Sequence, residues 1–173
     1  MFTPYSNRNI ATLFMVRHGW VNPEYELTDK VYSYGKLRYK WISARRRAFT
    51  ETANENWQFR FEGFWKTSLL ITNNNDEVIG KLTMKPFKRK AQLLMNNGFA
   101  AAFRRTSFWR SKHVWESDIN GPILRIHCPA FSSTDHITVE QSTAPADLIP
   151  LLVFLGIHLI IISKQREAVV ASS

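Results

Sequence analysis

DLIPLLVFLGIHLIIISK, Asp147–Lys164, decides the fold. Between Asp147 and Ser163 only Gly156 and His158 are neither apolar nor proline. As a helix, the 15-residue run Leu148–Ile162 spans about 22 Å, at ~1.5 Å per residue. A bilayer core of ~30 Å usually takes ~20 apolar residues, so the run is short for a membrane span. Its start reads as helical. Asp147 can cap it, and Pro150 falls in the first turn, where proline is tolerated. The β-branched residues Val153, Ile157, Ile160, Ile161 and Ile162 leave a buried strand as the alternative. A helix that is apolar on every side must be surrounded on every side.

What surrounds it is read from the preceding residues. KLRYKW (Lys36–Trp41), WQFRFEGFW (Trp57–Trp65), SLLITN (Ser68–Asn73) and VIGKLTM (Val78–Met84) are rich in aromatic and β-branched residues. Trp57, Phe59 and Phe61 alternate with Gln58, Arg60 and Glu62, the period of two of a half-buried strand. TNNNDE (Thr72–Glu77) and DINGP (Asp118–Pro122) read as turns. Asn97-Gly98 tolerates positive φ at both turn positions, which predicts a tight hairpin between QLLM and FAAAF. A repeat is also visible. FWKTSLLITNNNDEVIGKL, from Phe64, aligns without a gap to FWRSKHVWESDINGPILRI, from Phe108, at an offset of 44 residues. Many short antiparallel strands can enclose an apolar helix by closing into a barrel, which also removes their free edges.

The 173 residues suit one domain, expected as an N-terminal segment 1–23, barrel strands over 24–141, a central helix over 147–164 and a tail over 165–173. The single cysteine, Cys128, excludes internal disulfides and multi-cysteine metal cages. MFTPYSNRNIATLF lacks the basic, apolar and small-residue sequence of a signal peptide. A net charge of +9 favours anionic partners: nucleic acid, acidic lipid or acidic protein.

Taken in order, YELTDKVYSYGKLRYKW, GFWKTSLLITNNNDEVIGKL, SFWRSKHVW with GPILRI, and the apolar terminal helix resemble the bacterial branch of the tubby-like superfamily. That superfamily includes the tubby C-terminal domain, the LURP-one-related proteins and the phospholipid scramblases. The resemblance covers residues 25–164 and rests on strand pattern rather than a catalytic string. It implies a mainly β fold: a closed antiparallel barrel of about twelve strands around a central C-terminal helix. Tubby domains bind phosphoinositide headgroups, but their lipid-contacting motif is not recognisable here. The acidic calcium-binding segment of scramblases is also missing.

One stretch carries an enzymatic pattern. LFMVRHGWVN (Leu13–Asn22) resembles the opening of the histidine phosphatases, in which His18 would be the nucleophile and Arg17 a phosphate clamp. That family is α/β and needs a second histidine in a polar pocket, whereas His158 lies in an apolar run. As a neutral, hydrogen-bonded histidine near a barrel end, His158 needs no catalytic role. His113, His127 and His136 lack zinc-site spacing, and no nucleophile elbow or glycine-rich phosphate loop is present. No cofactor or metal is expected.

The bases cluster in three groups: Arg45, Arg46 and Arg47; Lys85, Lys88, Arg89 and Lys90; and Arg104, Arg105, Arg110 and Lys112, interleaved with Phe108 and Trp109. Bases mixed with aromatics suit an acidic membrane interface, and equally a single-stranded nucleic acid; a solvated barrel rim is the plain alternative. The expectation is a non-enzymatic module docking on acidic phospholipid headgroups, cytoplasmic and peripheral to the inner membrane face, with no obligate protein partner. A phosphohydrolase using His18 and a tail-anchored membrane protein are the alternatives.

Overall fold

The computed structural model describes residues 1–5, 10–40, 47–63, 67–84, 90–107, 111–119, 121–140 and 144–171. Twelve antiparallel strands follow one another around a closed barrel: β1 (Thr12–His18), β2 (Glu24–Thr28), β3 (Ser33–Lys40), β4 (Arg47–Thr52), β5 (Gln58–Glu62), β6 (Ser68–Thr72), β7 (Val78–Met84), β8 (Lys90–Met95), β9 (Ala100–Ser107), β10 (Lys112–Ser117), β11 (Gly121–His127) and β12 (Thr134–Val139). One helix, α1 (Leu148–Ala171), runs through the centre. The mainly β barrel around a central helix is therefore the observed architecture.

Three boundaries differ from expectation. Barrel strand β1 lies inside the segment 1–23 and closes the barrel by pairing with both β2 and β12. Without it two edges would stand open. The last strand ends at Val139, and the helix runs seven residues past Lys164. Those added residues are exposed, so no burial pattern marks them in the sequence.

Alternation builds the wall. In β8, Ala91, Leu93 and Met95 point inward while Gln92 and Leu94 face out. The inward residues meet a helix buried on all sides from Leu148 to Ile160, with Ile162 beside them. By length and composition this helix could cross a bilayer, yet 72% of its apolar 18-residue window is buried inside the barrel. Each large apolar side chain covered in this way contributes about 1.5–3 kcal/mol. The approach is closest at Gly156. A Cβ there would come within 2.7 Å of Ile126 Cδ1 and 2.9 Å of Trp115 Nε1, so a side chain would collide with the β10–β11 wall.

The 44-residue repeat is structural as well as sequential. The β6–β7 hairpin pairs Ser68 with Thr83, Leu69 with Leu82 and Ile71 with Gly80. The β10–β11 hairpin pairs Lys112 with His127, His113 with Ile126 and Trp115 with Leu124, which is the same register displaced by the offset. Both ladders shift at the same place, after Ile71 and after Trp115. The aromatic entries Phe64–Trp65 and Phe108–Trp109 lie outside the described residues. The β8–β9 hairpin forms as expected, with a different turn. Its loop is three residues, the Gly98 amide donates to the Met95 carbonyl, and Gly98 alone takes a positive φ, +87°. This is a type I turn closed by a glycine bulge rather than a two-residue Asn-Gly turn.

Candidate functional site

Because the strands alternate in direction, their connections alternate between the two ends of the barrel. Six connections lie at one end: 19–23, 41–46, 63–67, 85–89, 108–111 and 128–133. The helix leaves the barrel at this same end, where Arg166 lies over the Phe61 ring at the end of β5 and Arg105 on β9 pairs with Glu167 at 3.4 Å. At the other end are 29–32, 53–57, 73–77, 96–99, 118–120 and the approach to the helix, 140–147.

The sequences connecting the strands at the two ends differ in the sign of their charge. The connections at the helix-exit end contain seven bases and no acid: Arg45, Arg46, Lys66, Lys85, Lys88, Arg89 and Arg110. These seven lie outside the described residues and are placed by chain position alone. The connections at the opposite end contain seven acids, Asp29, Glu55, Asp76, Glu77, Asp118, Glu140 and Asp147, with Lys30 as their only base. Among the described residues at this end the bases Arg17, Lys40, Arg47, Lys90, Lys112, Lys164 and Arg166 stand with the acids Glu24, Glu62 and Glu167.

Of the three predicted clusters, Arg47, Lys90, Arg104, Arg105 and Lys112 are described and lie on strands β4, β8, β9 and β10, while Arg45, Arg46, Lys85, Lys88, Arg89 and Arg110 lie outside the described residues. Lys90 and Arg104 face each other across β8 and β9 and share Glu116. The Arg104 Nε–H donates to both carboxylate oxygens, at 2.9 and 3.0 Å, which holds Glu116 below the usual carboxylate range. Lys112 sits beside this group on β10, opposite Ser107. Arg47 lies four strands round the barrel from β8, so the first cluster faces another sector of the rim. Among the described residues Arg47 and Lys112 have no ion pair, and both are exposed.

Aromatic residues accompany the bases. Every connection at this end contains at least one: Trp20, Trp41, Phe64 and Trp65, Phe87, Phe108 and Trp109, and Phe131. Of those described, Trp20 is 90% exposed and Phe131 is fully exposed. Val21 is exposed next to Trp20, and Val169 and Val170 are exposed on the projecting helix. The acidic end also exposes apolar side chains, Val31 and Ile119, but beside Asp29 and Asp118. Sequence reading missed Trp20, Phe131, Lys164 and Arg166 as members of the rim. The available signal was the parity of the connections, which requires every strand, including β1, to be counted.

The histidines occupy separate places. His158 is fully buried among Tyr39, Phe59 and Phe61, with Tyr39 Oη and His158 Nδ1 at hydrogen-bonding distance, 3.0 Å. His18 ends β1, about half exposed, and its Nε2–H donates to Glu26 Oε2 at 2.8 Å. The closed β-barrel that carries His18 is not the α/β fold of the histidine phosphatases. His113 is buried and stacked on Phe103. Burial first, then Arg105 and Lys164, lowers its pKa to about 4. Burial also raises the pKa of the Cys128 thiol and of the Asp135 carboxyl, so Cys128 is not a reactive thiolate. Among the described residues no group of three or more His, Cys, Asp or Glu could hold a metal ion. A scan against protein-family models, a search of curated proteins and a search of solved structures each return no match.

Proposed function

We propose that this chain is a tubby-like, non-enzymatic module that docks its helix-exit rim on an acidic phospholipid surface at the inner face of the cytoplasmic membrane. The sorting of charge between the two ends carries this reading. A base near an acidic leaflet contributes about 1 kcal/mol, so a handful engaged together gives reversible, salt-sensitive binding. Trp20, with Arg17 over its ring, and Phe131 are exposed at this end, and aromatic side chains favour the headgroup level. The acidic end points away from the lipid, so the same field that attracts this rim turns the other outward. A single-stranded nucleic acid would meet the same residue types. The bases here ring the end of a barrel rather than line a groove that tracks a strand, which favours a surface.

The test is vesicle flotation with the full chain. Phosphatidylcholine vesicles with phosphatidylserine should carry the protein upward, and high salt should release it. Equal flotation with purely neutral vesicles, or none with either, would overturn the reading.

A further inference from the structure

At the helix-exit rim a cleft of about 340 Å³ opens between α1 and the β7–β10 wall. That volume lies within the ~300–1,000 Å³ range of small-molecule sites. Its floor is apolar, with Met84, Phe103, Leu159 and Ile162, and His113 lends the inner wall one polar group. Arg105 and Arg166 line its mouth against one acid, Glu167, while Lys90 and Arg104, which also border it, are paired with Glu116. An apolar slot beneath Arg105 and Arg166 matches an aliphatic tail with an anionic head. A free anion would leave the floor bare, and a neutral amphiphile would leave the cations unused.

We infer that this cleft binds a single anionic amphiphile, its tail between the helix and the barrel wall and its phosphate or carboxylate head on Arg105 and its neighbours. The inference rests on the reading of this rim as the lipid-facing one, and the two are separable by experiment. The helix supplies its own competitor. Glu167 Oε1 lies 3.4 Å from Arg105 Nη1, an exposed contact of the weak kind, at a place suited to the ligand's head. Removing that carboxylate should therefore strengthen binding, an effect opposite to that of removing Arg105.

Calorimetric titration of the full chain with dodecyl phosphate, below its micelle concentration, tests the inference. Dodecyl maltoside and inorganic phosphate serve as the neutral-head and no-tail controls. Dodecyl phosphate should bind at least roughly tenfold more tightly than either control. Arg105→Gln should weaken it roughly tenfold, the usual loss for one charge-assisted hydrogen bond. Glu167→Gln should tighten it severalfold. Ser163→Trp, at an exposed helix position lining the cleft, should block it with the melting temperature little changed. Equal binding of dodecyl phosphate and inorganic phosphate would overturn the inference, as would undiminished binding to a folded Ser163→Trp protein or weaker binding to Glu167→Gln. If wild-type protein floats with acidic vesicles yet does not bind dodecyl phosphate, the cleft inference fails and the docking reading stands. Binding of dodecyl phosphate without flotation supports the cleft and removes docking.

Discussion

His113 couples the stability of the barrel to pH. Its folded pKa of about 4 lies below the usual 6.5, so between those values the unfolded chain takes up the proton first. Stability should thus be at its full value above pH 6.5 and fall as the pH drops toward 4, by up to about 3 kcal/mol. Asp135 acts in the opposite sense. Its raised pKa means that the folded state holds a carboxylate at a cost near neutrality, a cost removed as the pH falls through the folded value. Urea unfolding at a series of pH values separates the two. His113→Asn should flatten the decline between pH 6.5 and 4, and Asp135→Asn should leave that decline in place. An unchanged slope in His113→Asn would assign the pH dependence elsewhere. The buried setting of His158 was legible from the apolar residues around it. That of His113 was not, since its stacking partner Phe103 comes from the neighbouring strand across a register shift between Lys112 and His113.

The central helix divides at Ser163 into a buried part and a projecting part, and the two should respond differently to truncation. Stopping the chain before Asp147 removes every buried helix residue, and with them the apolar partners of the whole inner wall. That chain should aggregate or stay unfolded. Stopping it after Ser163 removes exposed residues, the surface contact of Glu167 with Arg105 and the Arg166 guanidinium over the Phe61 ring. It should fold cooperatively, within about 1 kcal/mol of the full chain. Circular dichroism and urea unfolding of both versions check this, and a soluble, cooperatively folding chain without Leu148–Ile162 would mean that the barrel needs no central helix. The buried part was legible because an uninterrupted apolar run has only a few settings that satisfy it. The repeat was legible because matching hairpins require matching residues at matching offsets. β1 was not legible as a barrel strand, because its place is set by pairing with β12 at the far end of the sequence. The turn at Gly98 was misread because Asn97-Gly98 suits two loop geometries, and the register of β8 and β9 decides between them.

At the scale of the whole molecule, the position of charge should matter more than its sum. Three basic clusters were legible as runs, yet the common end of the strands that carry Arg47, Lys90 and Lys112 was not, since that depends on the number of strands between them. The consequence can be tested at constant net charge. Arg45, Arg46 and Arg47, changed together to Gln, remove three charges from the helix-exit rim. Lys36, Lys81 and Arg125 to Gln remove three from the barrel wall. Either set takes the net charge from +9 to +6. The wall bases already face acids, Lys36 with Glu24, Lys81 with Glu62 and Arg125 with Glu140, in exposed pairs worth about 0–1 kcal/mol each, so the fold should survive their loss. If docking uses the rim, the arginine triple should lose about 3 kcal/mol of affinity for acidic vesicles, close to a hundredfold, and much of the salt dependence. The wall triple should lose no more than a few-fold, because its charges meet the membrane side-on and beyond a Debye length of ~8–10 Å. Equal losses in the two triples would mean that the protein is drawn to lipid by net charge alone, without a preferred face.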